Sequence, residues 1–234
     1  FMKFILKSLQ NLDNLISYIF SNNANENKFL KNKFKKKQLV CFDVGANLGG
    51  YSSYLNKKFN IKELHIFEPS KECVKYLNKN FNNKKIKIID SAVTKSNGKR
   101  YFYENEILSQ SSLHLNKNKF NKNYNYNKKY KVNCINLDNY CRKFSRNFKV
   151  DILKIDAEGE DLNVLKGSKS LLSKKKIKLI KIELLNEIDK KNKKSNLFEI
   201  ISYLNSHSYF ISTIIKTKFQ DTKLLMMDAY FEAS

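Results

Sequence analysis

The chain has 234 residues and 27.6 kDa, enough for one moderate domain with appendages and a real core. Hydrophobic residues at 41% and aromatics at 13% exclude a wholly disordered chain, one Pro and six Gly exclude collagen-like or Pro-rich architecture, and no run approaches 18 consecutive apolar residues. Lys and Arg number 45 against 22 Asp and Glu, a formal +23 that admits nucleic acid, anionic lipid or an acidic glycan as partner; yet Arg100, Arg142 and Arg146 are the only arginines, so a Lys- and Asn-biased composition explains the charge better than a selected nucleic-acid surface.

Residues 2–20 carry Phe4, Ile5, Leu9, Leu12, Ile16, Ile19 and Phe20 at spacings of three and four, which predicts an amphipathic helix. Its polar face is mixed, so packing on the main domain is favoured over peripheral membrane contact. It lacks a small-residue cleavage site and makes a poor signal peptide. Residues 21–38 read as a basic polar connector. Residues 1–38 are thus an N-terminal appendage, and 39–234 the main domain.

From Leu39 the pattern changes. LVCFDVGA, ELHIFEP and KIKIIDSAV are apolar runs suited to strands buried on both faces, separated by helical spacings in NLGGYSSYLNKKF and SKECVKYLNKNF, the latter capped by Ser70. This strand–helix rhythm predicts βαβ units on a parallel sheet, an α/β fold. Asn97-Gly98 precedes the strand-like RYFYENE. LNKNKFNKNYNYNKKY has low complexity and predicts an exposed loop, followed by a strand in YKVNCINLD and a short helix in LDNYCRKF. VDILKIDAEG and KIKLIKIELL are further buried strands, with one helix expected over EDLNVLKGSKSLLSKK. A helix in NLFEIISYLNSHS and an antiparallel pair, YFISTIIK with KLLMMDAYF, close the chain. Cys41, Cys73, Cys134 and Cys141 form no CxxC pair and have no His at ligand spacing, which argues against zinc and fits reduced thiols in the cytoplasm.

Four motifs carry candidate chemistry. In CFDVGANLGG a strand ends, the chain turns on Gly45, and a new helix points free N–H groups at whatever sits there. The glycines miss the dinucleotide fingerprint G-x-G-x-x-G, and no Gly-Lys-Ser/Thr follows to make a P-loop. A tight turn without a ligand stays open. In HIFEP, Glu68 closes the second strand at the same sheet edge as Asp43, where an acid accepts hydrogen bonds from two ribose hydroxyls, or simply faces water. Asp90 closes the third strand, placed to accept from an adenine amino group with Ser91 and Ala92 near the ring. In LKIDAEGEDLNVLKG, Lys154, Asp156 and Glu158 alternate with apolar residues and share one face. Three charges in so apolar a strand are costly unless they pair or serve a site.

DVGAN-x-G, FEP, LDNY and KIDAEGED-x-x-VLKG, in this order over roughly residues 39–185, resemble the FkbM-family S-adenosylmethionine (SAM)-dependent methyltransferases, with Asn47 where the Gly loop of class I methyltransferases usually has its middle Gly. The resemblance implies a class I, Rossmann-like sheet of seven mostly parallel strands with the last pair antiparallel, and O-methylation of a small-molecule or glycan acceptor, often a sugar hydroxyl. It implies that Asp43, Gly45, Asn47 and Glu68 hold SAM, with S-adenosylhomocysteine as product; Ala46 and Gly49 of the same loop, and Asp90, Ser91 and Ala92 after the third strand, are the further cofactor contacts expected. Asp156 would lie by the methyl group. As general base Asp156 is first choice, Glu158 second, with Lys154 orienting and His114 of SSLHL as an alternative; His65, among apolar neighbours, reads as structural. Asp156 with Glu158 is a thin oxygen shell for Mg²⁺, so a divalent metal is left uncommitted. Rival readings are a nucleic-acid 2′-O-methyltransferase and a non-catalytic SAM-fold binding module. The sequence sets neither the acceptor nor the oligomeric state.

Overall fold

The computed structural model describes residues 23–35, 37–114, 126–186, 197–220 and 222–234. The amphipathic helix expected over 2–20 lies outside them.

Strands β1 (Leu39–Val44), β2 (Ile61–Glu68) and β3 (Ile86–Asp90) alternate with helices α2 (Gly50–Lys58) and α3 (Lys71–Asn80), as the apolar runs predict. After a small second sheet come β7 (Val150–Ile155), β8 (Ile177–Leu185), β9 (Tyr209–Gln220) and β10 (Lys223–Ala233), with helix α7 (Leu197–Ser206) before β9. The seven strands run in the order β3-β2-β1-β7-β8-β10-β9. β1 pairs in parallel with β2 and β7, β2 with β3 and β7 with β8, whereas β10 is antiparallel to both β8 and β9. This is the class I, Rossmann-like arrangement. The order reverses at β1/β7, where open α/β sheets hold ligands beyond the carboxyl ends of their strands.

The period of two sorts the core. Val40, Phe42 and Val44 of β1 pack with Leu137, Leu165, Leu172 and Leu204 on one face. Leu39 and Cys41 pack with Leu30, Phe34, Tyr51 and Leu55 on the other. All four cysteines are free and buried. Among the described residues no helix is long and apolar enough to cross a membrane.

Three segments depart from expectation. Part of the supposed connector is helix α1 (Asn23–Phe34), whose Leu30 and Phe34 enter the core and whose Glu26 is buried. Only three apolar side chains in that lysine- and asparagine-rich stretch face inward, too few for a visible period. The helix expected over 160–175 is broken into α5 (Asp161–Lys166) and α6 (Lys169–Ser173). Asp138, at the start of α4 (Leu137–Cys141), accepts from the amides of Ser170 and Leu171 and so starts α6 from outside. Finally, the low-complexity loop ends early: Tyr126–Tyr130 belong to β6 (Tyr126–Ile135), which lies between β4 (Ala92–Val93) and β5 (Gly98–Asn105) as the centre of the second sheet. Glu104 fastens that sheet by accepting from Ser70 Oγ at 2.9 Å and Tyr130 Oη at 2.6 Å.

Candidate functional site

The loop after β1 is set by backbone. The amides of Gly45 and Ala46 donate to the Phe67 carbonyl at 3.1 and 3.2 Å. Gly45 has φ +70°, and a Cβ there would lie 1.8 Å from the Asp156 carbonyl oxygen, so only glycine fits between β1 and β7. Lys154 Nζ donates to the Gly45 carbonyl at 2.8 Å and stands 3.2 Å from Asp43 Oδ1 and 3.3 Å from Asp156 Oδ2. Burial opposes the ammonium charge, but Asp43 and Asp156 prevail and hold its pKa well above the usual lysine range.

Some predicted contacts fall elsewhere. Asp43 is fully buried and engaged by Ser52 Oγ at 2.7 Å and by Lys154; it ties β1 to α2 and β7 and lines neither of the two clefts described below. Ala46 is a core residue. Gly49 has φ +76° and opens α2; a Cβ there would meet Phe81 and Leu77 at 2.6–2.8 Å, so the space it leaves is filled by protein. Asp90 is exposed and Ser91 buried, and neither lines the cleft, although Ala92 does.

That cleft encloses about 640 Å³, part of it open solvent. Gly45, Asn47, Glu68 and Asp156 line it from the main sheet's edge and Ala92 from β4; Phe102, Leu108 and Leu113 line it from β5 and the segment after it. Glu68 is buried, and its two oxygens accept from the amides of Asn47 at 2.7 Å and Ser70 at 2.8 Å. Burial raises its pKa to about 7 against the lowering effect of those amides. Asn47, at φ +51°, holds the amide toward Glu68 and accepts from the Cys73 thiol at 3.3 Å.

The loop after β7 contributes a residue that sequence reasoning missed. Glu160, nearly buried on the cleft wall, is reached by Thr94 Oγ1, Arg100 at 2.8 Å, His114 Nε2 at 2.7 Å and Asn163 at 3.1 Å. Burial pushes its pKa up, but His114, Thr94 and Arg100 outweigh it and bring it down to about 2. His114 is therefore the partner of Glu160, and it does not line the cleft. Glu158, at φ +47°, lines the cleft while its carbonyl accepts from Ser112 Oγ at 2.7 Å. Asp161 accepts from the amides of Ala157 and Gly159, which shapes the turn. His65 is buried against Phe42 and Tyr140, a structural position, with burial lowering its pKa to about 4.

Asp156 has a 39% exposed side chain and lines a second cleft as well, of about 550 Å³ including open space, together with Lys154, Lys181, Glu183, Lys216 and Asp228. Among the described residues, no group of three His, Cys, Asp or Glu is placed to hold a metal ion.

The family described as the methyltransferase FkbM domain matches residues 43–211. No curated protein matches the chain. Among solved structures, a methyltransferase FkbM from Methylobacillus flagellatus KT has a TM-score of 0.51 at 15% identity, covering 83% of this chain; this chain spans 43% of that one. The magnesium protoporphyrin IX methyltransferase of Synechocystis PCC 6803 with bound SAM has a TM-score of 0.51 at 9% identity, covering 90% of this chain and 77% of that one. A TehB-like SAM-dependent methyltransferase from Corynebacterium glutamicum has 0.50 at 9% identity, covering 97% and 96%. At such identities the likeness is one of fold.

Proposed function

Because the chain belongs to the FkbM family of SAM-dependent methyltransferases, we propose that it transfers a methyl group to a hydroxyl of a sugar or glycan, with Asp156 as general base. The observation that carries this reading is the position of Asp156: its carboxylate is exposed, lines both clefts, and is steadied by Lys154 at 3.3 Å.

The first cleft fits SAM. Each oxygen of Glu68 accepts one backbone amide, which leaves each a lone pair for one hydroxyl of a ribose diol. Gly45, Asn47 and Ala92 line the same wall, and Phe102 and Leu113 give it apolar surface for a base. Bound SAM supplies a methyl group already activated by its sulfonium centre. The chain then has two tasks. It orients the acceptor, which is worth about 7–11 kcal/mol when the reacting atoms are well placed. It also removes the hydroxyl proton during attack: Asp156 accepts that proton, and Lys154 fixes its carboxylate and, through the Gly45 carbonyl, the loop on the cofactor side.

Asp156→Asn keeps the shape and loses the base. We expect S-adenosylhomocysteine affinity by calorimetry to be unchanged and turnover to fall about 10²–10⁴-fold, with the wild-type product an alkali-stable methyl ether. Normal turnover by the variant refutes Asp156 as base.

A further inference from the structure

The second cleft is lined by charged side chains of both signs. Its floor is built from adjacent strands in register. Lys154 of β7 pairs with Lys181 of β8, and Glu183 of β8 pairs with Asp228 of β10, which in turn faces Lys216 of β9. Two of the lysines are committed elsewhere. Lys154 binds Asp43 and the Gly45 carbonyl, and Lys181 donates to Glu26 of α1 at 2.8 Å, with Tyr230 Oη on the same carboxylate oxygen at 2.6 Å. Lys216 is exposed at the rim.

Glu183 and Asp228 are different. They are half-buried and directly opposite across two strands, an arrangement that is destabilising for like charges. Among the described residues no hydrogen bond or ion pair reaches either carboxylate. Burial is the first cause that raises the pKa of both; Asp156 and Asp228 add to it at Glu183 against Lys216, while at Asp228 Lys181 and Lys216 oppose it without cancelling it. A chain with a formal net charge of +23 thus keeps two carboxylates without a hydrogen-bond or ion-pair contact among the described residues, in the cavity that shares Asp156 with the cofactor cleft. The distant positive charge is screened by salt beyond about 8 Å, and the nearby Lys181 and Lys216 reduce the repulsion without closing a contact on either carboxylate.

We propose that this cleft is the acceptor site and that Glu183 and Asp228 select an acceptor carrying a protonated amine beside its hydroxyls, an amino sugar. The ammonium sits between the two carboxylates, which relieves their repulsion with charge-assisted hydrogen bonds, and a neighbouring hydroxyl reaches Asp156. This rests on the reading of Asp156 as the base at the wall between the clefts. Glu183 and Asp228 make the specificity and take no part in the proton transfer.

The test uses the full chain with glucosamine, N-acetylglucosamine and glucose as probes. Calorimetry on the complex with S-adenosylhomocysteine reads binding, and methyl transfer from SAM reads turnover. Glucosamine is expected to bind at least about tenfold more tightly than the other two, the difference a charge-assisted hydrogen bond makes. Glu183→Gln and Asp228→Asn should each bring the three sugars toward parity while S-adenosylhomocysteine affinity, which also reports folding, stays constant. Equal binding of the three sugars, binding of none, or a preference that survives both substitutions overturns the proposal. The two readings fail separately. Selective binding of glucosamine without methylation sinks the hydroxyl chemistry and leaves the amine site. Methylation of all three at equal efficiency does the reverse.

Discussion

The two clefts on either side of Asp156 are furnished in opposite ways. On the β1/β2 side nearly every acid is answered: Glu68 by two backbone amides, Asp43 by Ser52 and Lys154, Glu160 by four side chains. On the β8/β10 side Glu183 and Asp228 stand opposite each other with no partner among the described residues. A saturated site is stiff and has its geometry before any ligand arrives; an unsatisfied one is held in a costly state that a ligand can relieve. The contrast follows from architecture. The first side is built on strand-end turns, where backbone amides and neighbouring side chains converge on each acid, and the second on side chains that stand opposite one another across β8, β10 and β9.

The hardest blow to this contrast falls on Gly45. In Gly45→Ala the new Cβ meets the Asp156 carbonyl oxygen, a backbone atom that has no room to yield, at positive φ. We expect a loss above about 4 kcal/mol, seen as a chain with no cooperative melt by circular dichroism. Lys154→Met is next. It strands Asp43, fully buried, with Ser52 as its remaining partner, and should cost about 3–5 kcal/mol in urea unfolding. Glu183→Gln should move stability the other way. The folded pKa of Glu183 lies above its unfolded value, so the acid costs nothing at low pH and erodes stability as pH rises through the folded value. Removing it should therefore stabilise the chain by about 1 kcal/mol at pH 8, and leave it unchanged at pH 4, in the same unfolding assay. If both substitutions destabilise alike, the two clefts do not differ in kind.

Glu68 sharpens the comparison most finely. Its pKa of about 7 lies above the unfolded value, so ionising it costs the empty fold some stability between about pH 4.5 and 7. The ionised form is the one that accepts from two hydroxyls. S-adenosylhomocysteine affinity should therefore rise by up to about tenfold from pH 6 to 8, and Glu68→Gln should flatten that rise in a calorimetric pH series.

The parts legible in the sequence share a property: their cause is local. Strands buried on both faces must be apolar runs, so β1, β2, β7 and β8 stood out, and Gly45, Glu68 and the alternation of Lys154 with Asp156 followed from strand ends and a period of two. Loop spacing does not tell which way Gly49 and Ala46 turn; the side chains packed around them, Phe81 and Leu77, come from a later part of the chain. Helix α1 was missed because Lys and Asn swamp its few inward residues. Glu160, Glu183 and Asp228 left no local mark at all. The partners of Glu160 come largely from residues 94–114, and the meeting of Glu183 with Asp228 exists only once β8 and β10 are in register.

One carboxylate forming the party wall of two separate chambers has a kinetic consequence. Were donor and recipient to enter through these two clefts, as proposed, neither would have to vacate before the other arrived, and the spent nucleoside would not bar the exit of the methylated product. On the proposed assignment of the clefts the expected turnover cycle is a random-order one, since Asp156 lines both and each reactant would have its own vestibule.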